Sequence, residues 1–99
     1  MSNTSGIKNG LTDNLFKAIL SLKSVDECYE FFEDICTIKE VNDMSQRLQI
    51  AEMLLDGKTY DKIVKEVEIS TATISRINRC IQYGAGGYKK IIERGKEKK

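Results

Sequence analysis

The residues best suited to making specific contacts with another molecule lie in one short stretch of the sequence. Thr71, Ala72, Ser75 and Arg79 are short or hydrogen-bonding side chains with one cation among them, and their spacing is helical. Side chains of this kind on the outer face of a helix suit the base edges and phosphates of a DNA major groove. Ser70 comes just before them, is a typical helix N-cap and is also expected among the residues that contact DNA. The pattern predicts a helix that reads duplex DNA.

The opposite face of the same helix is apolar. Ile74, Ile77 and Ile81 are spaced as one buried stripe, and a shorter amphipathic helix comes before them, so we predict a helix-turn-helix over residues 59–82. Glu68 stands in the turn where many such motifs have glycine, and we therefore expect a strained or reshaped turn. A helical hairpin that touches no nucleic acid is the alternative for this pattern.

The charge of the chain is divided unevenly along its length. Residues 1–57 carry 5 Lys and Arg against 10 Asp and Glu, whereas residues 58–99 carry 11 against 5, which gives net charges of −5 and +6. The basic half contains the predicted helix-turn-helix, as neutralisation of phosphates requires. Within it we expect Lys58, Lys62 and Arg79 to contact or approach the DNA backbone.

The composition is that of an ordinary globular domain. The 99 residues are 40% hydrophobic and 31% charged, and no apolar run approaches the roughly 18 residues of a membrane span. We expect a flexible arm at 1–10, one helical DNA-binding domain at 11–95 and a basic tail at 96–99. A cytoplasmic protein without membrane contact is the expectation.

The chain contains no histidine, and its three cysteines are Cys28, Cys36 and Cys80. Their spacing is not that of a metal site, and reduced structural thiols are the expected state, with a redox-sensing role as the alternative. The acidic residues are scattered over amphipathic surfaces, so no set of acid–base or nucleophilic residues can be named. The sequence therefore predicts no enzyme, no metal and no cofactor.

Helix boundaries are signalled by capping residues, since the chain has no proline. Ser24 with Glu27, and Thr37 with Glu40, have the spacing of capping boxes, in which each residue satisfies a backbone N–H of the other. Gly57 is placed to end the helix that begins after Thr37. The third helix is thus predicted to be the longest.

The first helix is predicted between residues 11 and 23. A short last helix is predicted between Tyr88 and about residue 94, with Tyr88, Ile91 and Ile92 as its packing residues. The apolar stripe of the first helix consists of Leu11, Leu15, Ile19 and Leu22. Three apolar helices exceed what one small hairpin can cover, so we predict a homodimer. A dimer also suits a helix-turn-helix, because two reading helices about 34 Å apart meet successive turns of a pseudo-palindrome.

The chain resembles a known family over two stretches. The first is the run from Gln46 to Leu55 followed by Gly57, and the second is Ala72-Thr73-Ile74-Ser75-Arg76. Both are similar to the tryptophan repressor family, and most of all to the small tryptophan-repressor-like proteins of Gram-positive bacteria, for which no ligand is established. The resemblance implies an all-α fold of six helices that forms an intertwined homodimer.

The resemblance also implies the position of a ligand pocket. Arg47 and Arg76 match the two arginines that hold indole in that family, and Arg76 would face either the pocket or the DNA backbone. The further matched pocket positions are Thr37, Thr73, Ile77 and Cys80. Ile77 replaces a glycine and Cys80 replaces a serine, so the indole space is filled and tryptophan is disfavoured. We therefore expect a vestigial pocket. Whether a small molecule other than tryptophan acts as an effector stays open.

The sequence thus predicts a sequence-specific transcriptional regulator, a repressor, that binds a pseudo-palindromic DNA site as a homodimer without requiring tryptophan. Two alternatives remain at this point. One is an amino-acid-responsive repressor with a reshaped pocket, and the other is a helical protein-interaction adaptor that does not bind DNA.

Overall fold

The computed structural model describes residues 6–97. Within that range every regular element is a helix, as the sequence predicted. The six helices are α1 (Gly10–Leu20), α2 (Val25–Ile35), α3 (Ile38–Leu55), α4 (Tyr60–Val67), α5 (Thr71–Tyr83) and α6 (Gly87–Glu97). None of these helices is long and apolar enough to cross a membrane.

The described chain divides into two compact units. Residues 6–43, which we call the N-terminal unit, contain α1, α2 and the start of α3, and residues 44–97, the C-terminal unit, contain the rest of α3 and α4 to α6. The sequence predicted one domain at 11–95. Each unit has its own pattern of burial, described below.

The helices of the N-terminal unit begin at side-chain caps. Asn9 Oδ1 accepts the Thr12 backbone N–H at 2.8 Å and starts α1. Ahead of α3, Thr37 and Glu40 form the complete predicted capping box, with bonds of 2.8 and 3.1 Å. These contacts satisfy backbone donors of the first turn that have no partner within the helix.

The capping box predicted at Ser24 is only half correct. Ser24 Oγ accepts the Glu27 backbone N–H at 3.1 Å, as expected. The Glu27 carboxylate, however, accepts the N–H of Lys23 at 2.9 Å rather than that of Ser24. Likewise, α1 ends at Leu20 and not near Lys23 as predicted, because Ser21 closes the last turn with backbone bonds to the carbonyls of residues 17 and 18.

The C-terminal unit has an aliphatic core. Four helices supply it, and its buried residues are Ile50, Ala51, Met53, Ile63, Ile74, Ile77 and Ile92. The predicted stripe of α5 is correct, since Ile74 and Ile77 are buried and Ile81 is partly buried against them. Burying isoleucine side chains stabilises this unit by roughly 1.5–3 kcal/mol for each fully buried residue.

The end of α3 has the geometry predicted for Gly57. The glycine adopts φ 84°, its N–H donates to Leu54 O at 3.0 Å, and the next N–H, of Lys58, donates to Met53 O at 3.0 Å. This pair of bonds is the Schellman arrangement, which needs a left-handed residue. It directs the chain from α3 into α4.

The last helix is longer than predicted. It starts at Gly87 and continues to Glu97, so residues 96 and 97, expected in a basic tail, are helical. Lys96 Nζ contacts Asp56 Oδ1 at 2.8 Å, which joins the end of α6 to the end of α3. The predicted tail residues 98–99 and arm residues 1–5 lie outside the described part of the chain, and Gly10, the last residue of the predicted arm, is the first residue of α1.

Candidate nucleic-acid interface

The candidate interface is built on two helices joined by a short turn, which we call the α4–α5 pair (residues 59–83). Thr59 caps α4 by accepting the Lys62 N–H at 3.2 Å, and Ile63 anchors α4 in the core. The predicted helix-turn-helix starts at Thr59, and the structure makes this residue the cap and Tyr60 the first residue of α4. The arrangement is consistent with the predicted helix-turn-helix.

The turn between the two helices uses a left-handed residue. Glu68 adopts φ 55° and ψ 50°, and its N–H donates to Val64 O at 2.9 Å. This is the conformation that glycine adopts without steric cost, so the turn keeps the common shape and Glu68 carries the strain. Ile69 is half-buried against the core, and Ser70 Oγ accepts the Thr73 N–H at 3.3 Å to start α5, as predicted.

One face of α5 is free of the core. Thr71, Ala72, Ser75, Arg76 and Arg79 are all exposed, as is the cap Ser70. The opposite face holds the buried isoleucines of the core, so the exposed face has a fixed orientation relative to α4. The α5 residues predicted to contact DNA therefore lie on one outward surface, with the two arginines giving it positive charge.

The two lysines expected at phosphates differ in exposure. Lys62 is exposed in the first turn of α4, where its side chain is free to reach an anion. Lys58 is half-buried and lines a cavity of about 590 Å³ together with Asp56 and Lys96. Lys62 is thus the better placed of the two for a phosphate contact.

The matched pocket positions fall in both units of the chain. Thr37 belongs to the N-terminal unit, where its hydroxyl caps α3. In the C-terminal unit Ile77 is 3% exposed and belongs to the core, while Thr73 is half-buried with its hydroxyl 3.2 Å from that of Ser70. Arg76, with its exposed side chain, lies on the outward surface of α5.

One residue near these positions was not singled out from the sequence as part of the site. Tyr88, at the start of α6, is half-buried against the core and lines a groove with Cys80. Burial raises the pKa of Tyr88, the nearby Cys80 raises it further, and the positive charge of Arg47 opposes this. Its helical spacing with Ile91 and Ile92 had indicated packing, but not the proximity to Arg47 and Cys80.

Residues 6–97 hold no group of three or more His, Cys, Asp or Glu side chains arranged for a metal ion. Cys28 and Cys36 are half-buried free thiols and Cys80 is an exposed one. What the α4–α5 pair offers is a surface for binding.

Comparison with known proteins places the chain in a family. It is 53% identical over 85 residues to the uncharacterized protein YerC of Bacillus subtilis. The matched region covers 86% of this chain and 82% of YerC. A TrpR-like protein from Eubacterium eligens has a crystal structure similar to this one, with a TM-score of 0.87 and 48% identity over 92% of this chain and 94% of that one.

A putative Trp repressor from Staphylococcus aureus is also similar, with a TM-score of 0.89 and 43% identity over 97% of this chain and 96% of that one. The family model for the Trp repressor protein matches residues 11–96, which include all six helices apart from the first residue of α1 and the last residue of α6. Since the match covers most of the chain, the protein belongs to the Trp repressor family.

Proposed function

We propose that this protein is a transcriptional regulator, a repressor, that binds a pseudo-palindromic site on duplex DNA as a homodimer. The observation that carries the proposal is the exposed face of α5, where Thr71, Ala72 and Ser75 stand clear of the core with Arg79 further along. Small hydroxyl and methyl groups near the start of a reading helix allow close approach to base edges, and a cation beyond them suits a phosphate. Membership of the Trp repressor family supports the same function.

The roles of the individual residues follow from their position on this face. Ser75 lies near the middle of the exposed face and is assigned to base edges, together with Thr71 and Ala72. Arg79 and Lys62 are assigned to phosphates, because both are exposed cations, one on α5 and one on α4. Arg76 is exposed on the same face and is assigned to the DNA backbone rather than to a pocket.

We infer further that DNA binding requires no tryptophan. Ile77 is 3% exposed and packs in the same core as Ile74 and Ile50. A ligand entering this space would have to displace a packed side chain, and over-packing of a filled core costs roughly 1–3 kcal/mol. The side chain of Ile77 thus supplies the packing that a bound ligand would otherwise provide.

The homodimer is supported by the apolar surface of the N-terminal unit. Leu11, Leu20, Val25 and Ile38 each have more than two thirds of their side chains exposed. The number of large apolar side chains left in solvent on one small unit supports an interaction surface there. A second copy of the chain is the partner that a two-fold symmetric DNA site calls for.

The decisive experiment is selection of sequences from random duplex DNA by the purified protein with no ligand added. Enrichment of a two-fold symmetric site is the expected result. If no sequence is enriched with or without added amino acids, and affinity for duplex DNA does not fall with increasing salt, the proposal is wrong and a protein-interaction adaptor becomes the better interpretation.

Two variants test the assignment of residues on the selected site. Arg79→Ala is expected to weaken binding to all sequences. It should also reduce the slope of log affinity against log salt concentration by about the amount of one phosphate contact. Ser75→Ala is expected to change the sequence preference with little effect on that dependence. Identical behaviour of the two variants would contradict the division into phosphate and base contacts.

Ligand independence is tested by calorimetry with L-tryptophan. The wild-type protein is expected to show no binding at micromolar concentrations, and Ile77→Gly is the variant in which space for a ligand is created. Binding of tryptophan by the wild-type protein would show that Ile77 does not fill the pocket.

A further inference from the structure

Tyr88, in the first turn of α6, borders residues of both α3 and α5. It is half-buried and packs against the core cluster, which contains Ile50 of α3 and Ile77 of α5. It also lines a groove of about 480 Å³ with Leu48 from α3 and Cys80 from α5. One aromatic ring thus lies where three helices of the C-terminal unit meet.

The electrostatic neighbours of Tyr88 agree with this position. Its hydroxyl is influenced by Cys80 of α5 and by the positive charge of Arg47 of α3, in addition to the burial that raises its pKa. Arg47 and Cys80 are two of the positions matched to the ligand pocket of the family. The ring therefore lies beside residues that would border a ligand if one were bound.

The turn before α6 fixes this placement. Gly84 N–H donates to Cys80 O at 2.9 Å, and a side chain at position 84 would collide with that same carbonyl. Gly86 adopts φ 89°, which favours glycine. These two glycines allow the chain to reverse tightly after α5, so that Tyr88 returns onto the C-terminal half of the helix it has just left.

We infer that Tyr88 is a positioning residue for α5. Its ring packs from α6 against the core that α3 and α5 share, and it holds α5 in its DNA-binding position without a small molecule. The inference rests on the proposed DNA-binding function. It complements the role of Ile77, which fills space from within α5, because Tyr88 fixes the same helix from outside. Without the ring only a fraction of molecules would hold α5 in position, and the apparent affinity would fall by that fraction.

The test compares three variants of the full-length protein on the duplex selected by the wild-type protein. Tyr88→Ala removes the ring, Tyr88→Phe keeps the ring and removes the hydroxyl, and Ile92→Ala removes a buried core side chain from the same helix. Each is measured at a temperature at which its circular dichroism shows a fully folded protein. If Tyr88→Ala does not fold, Tyr88→Leu replaces it.

We expect Tyr88→Ala to bind the selected duplex about tenfold more weakly, which corresponds to a binding-competent fraction of about one tenth. Tyr88→Phe is expected to bind as the wild type does, and Ile92→Ala is expected to lose much less affinity than Tyr88→Ala. Equal losses in Tyr88→Ala and Ile92→Ala would show that Tyr88 contributes only to general stability. Unchanged affinity in Tyr88→Ala, or equal impairment in Tyr88→Phe, would also overturn the inference.

Chemical rescue provides a second readout. Since p-cresol has the shape of the tyrosine side chain, it is expected to raise the unfolding temperature of Tyr88→Ala but not of the wild type, and to restore DNA affinity in that variant alone. Stabilisation of Tyr88→Ala without restored affinity would overturn the inference. If p-cresol does not bind, the affinities of the variants decide.

Hydrogen exchange separates this inference from the proposed function, because it needs no DNA. In Tyr88→Ala the backbone amides of α5 are expected to exchange faster while those of α3 keep their wild-type rates. Failure of the wild-type protein to bind DNA would refute the proposed function and leave this measurement unaffected. Unchanged exchange in α5 would refute the role of Tyr88.

Discussion

The two units of this chain differ in where their apolar side chains lie. The C-terminal unit contains all seven residues that are buried within the described chain, among them Ile50, Ile63 and Ile74. In the N-terminal unit no described residue reaches that degree of burial, while Leu11 and Leu20 are 86% and 84% exposed. One unit therefore has a fully buried core, whereas the other covers its apolar side chains only in part.

This difference indicates how each unit gains its stability. Four helices contribute to the core of the C-terminal unit, so its side chains are removed from water within one chain. The N-terminal unit is below the size at which a domain buries enough apolar surface on its own. We therefore expect the C-terminal unit to be stable independently of protein concentration. The N-terminal unit is expected to depend on association with another copy of the chain.

The largest effect is expected from truncating a side chain in the core of the C-terminal unit. Ile63→Ala removes a fully buried side chain that anchors α4, and should lower the free energy of unfolding by about 2–5 kcal/mol at every protein concentration. Ile91→Ala is the matched control, because Ile91 is 53% exposed and its truncation should cost about 1 kcal/mol. Equal losses in chemical denaturation would contradict a core confined to the buried residues.

A charge in the apolar surface of the N-terminal unit should act through association instead. Leu20→Glu changes a side chain that is 84% exposed in one chain, so it would be almost neutral in a monomer. If a second copy covers this surface, dimerisation should weaken by at least about 2 kcal/mol, visible as monomer in analytical ultracentrifugation.

The control for Leu20→Glu is Lys17→Glu, which changes an exposed polar residue of the same helix. It changes the charge of α1 by more than Leu20→Glu does, yet it leaves the apolar residues intact. Retention of the dimer in both variants would show that α1 is not part of the interface.

The sequence was a good guide to local structure in the two units. Local signals gave correct results in both, since the Thr37–Glu40 box, the Ser70 cap and the left-handed Gly57 all have the expected geometry. These features depend on atoms within a few residues of each other, so residue type and spacing are sufficient to specify them. The buried stripe of α5 was predicted for the same reason.

Contacts between distant residues could not be predicted in this way. Lys96 was assigned to a tail, but it contacts Asp56 across 40 residues and extends α6. Tyr88 was recognised as a packing residue, whereas its proximity to Arg47 and Cys80 depends on the turn that precedes α6. Neither pairing has a signature in spacing, because each arises only when the helices pack.

Smaller effects are expected where the local geometry itself is changed. Glu68 is exposed and adopts a left-handed conformation, which costs an ordinary residue about 1–2 kcal/mol. Glu68→Gly should raise the free energy of unfolding by about 0.5–1 kcal/mol after the greater freedom of glycine in the unfolded chain is subtracted.

Glu66→Gly makes the same substitution two residues earlier, inside α4, and should lower the free energy of unfolding by about 1 kcal/mol. The two variants are therefore expected to change the free energy of unfolding, measured by urea denaturation, in opposite directions. A loss in both variants would mean that the Glu68 side chain stabilises the turn by a contact that outweighs its strain.

The smallest effect concerns the cap of α3 in the N-terminal unit. The Thr37 backbone N–H donates to Glu40 at 2.8 Å and lowers the pKa of that carboxyl from its ordinary value of 4.5. Because the folded pKa is the lower one, the contribution to stability is present above pH 4.5 and is lost as the pH falls through the folded value.

In Glu40→Gln the amide oxygen still accepts the hydrogen bond but the charge is gone. The thermal midpoint of the wild type should therefore exceed that of the variant at neutral pH, and the gap should close as the solution is acidified. Glu30→Gln removes one charge from an exposed site on α2 and controls for net charge. A gap that does not change with pH would mean that the carboxylate acts on α3 through its shape and not through its charge.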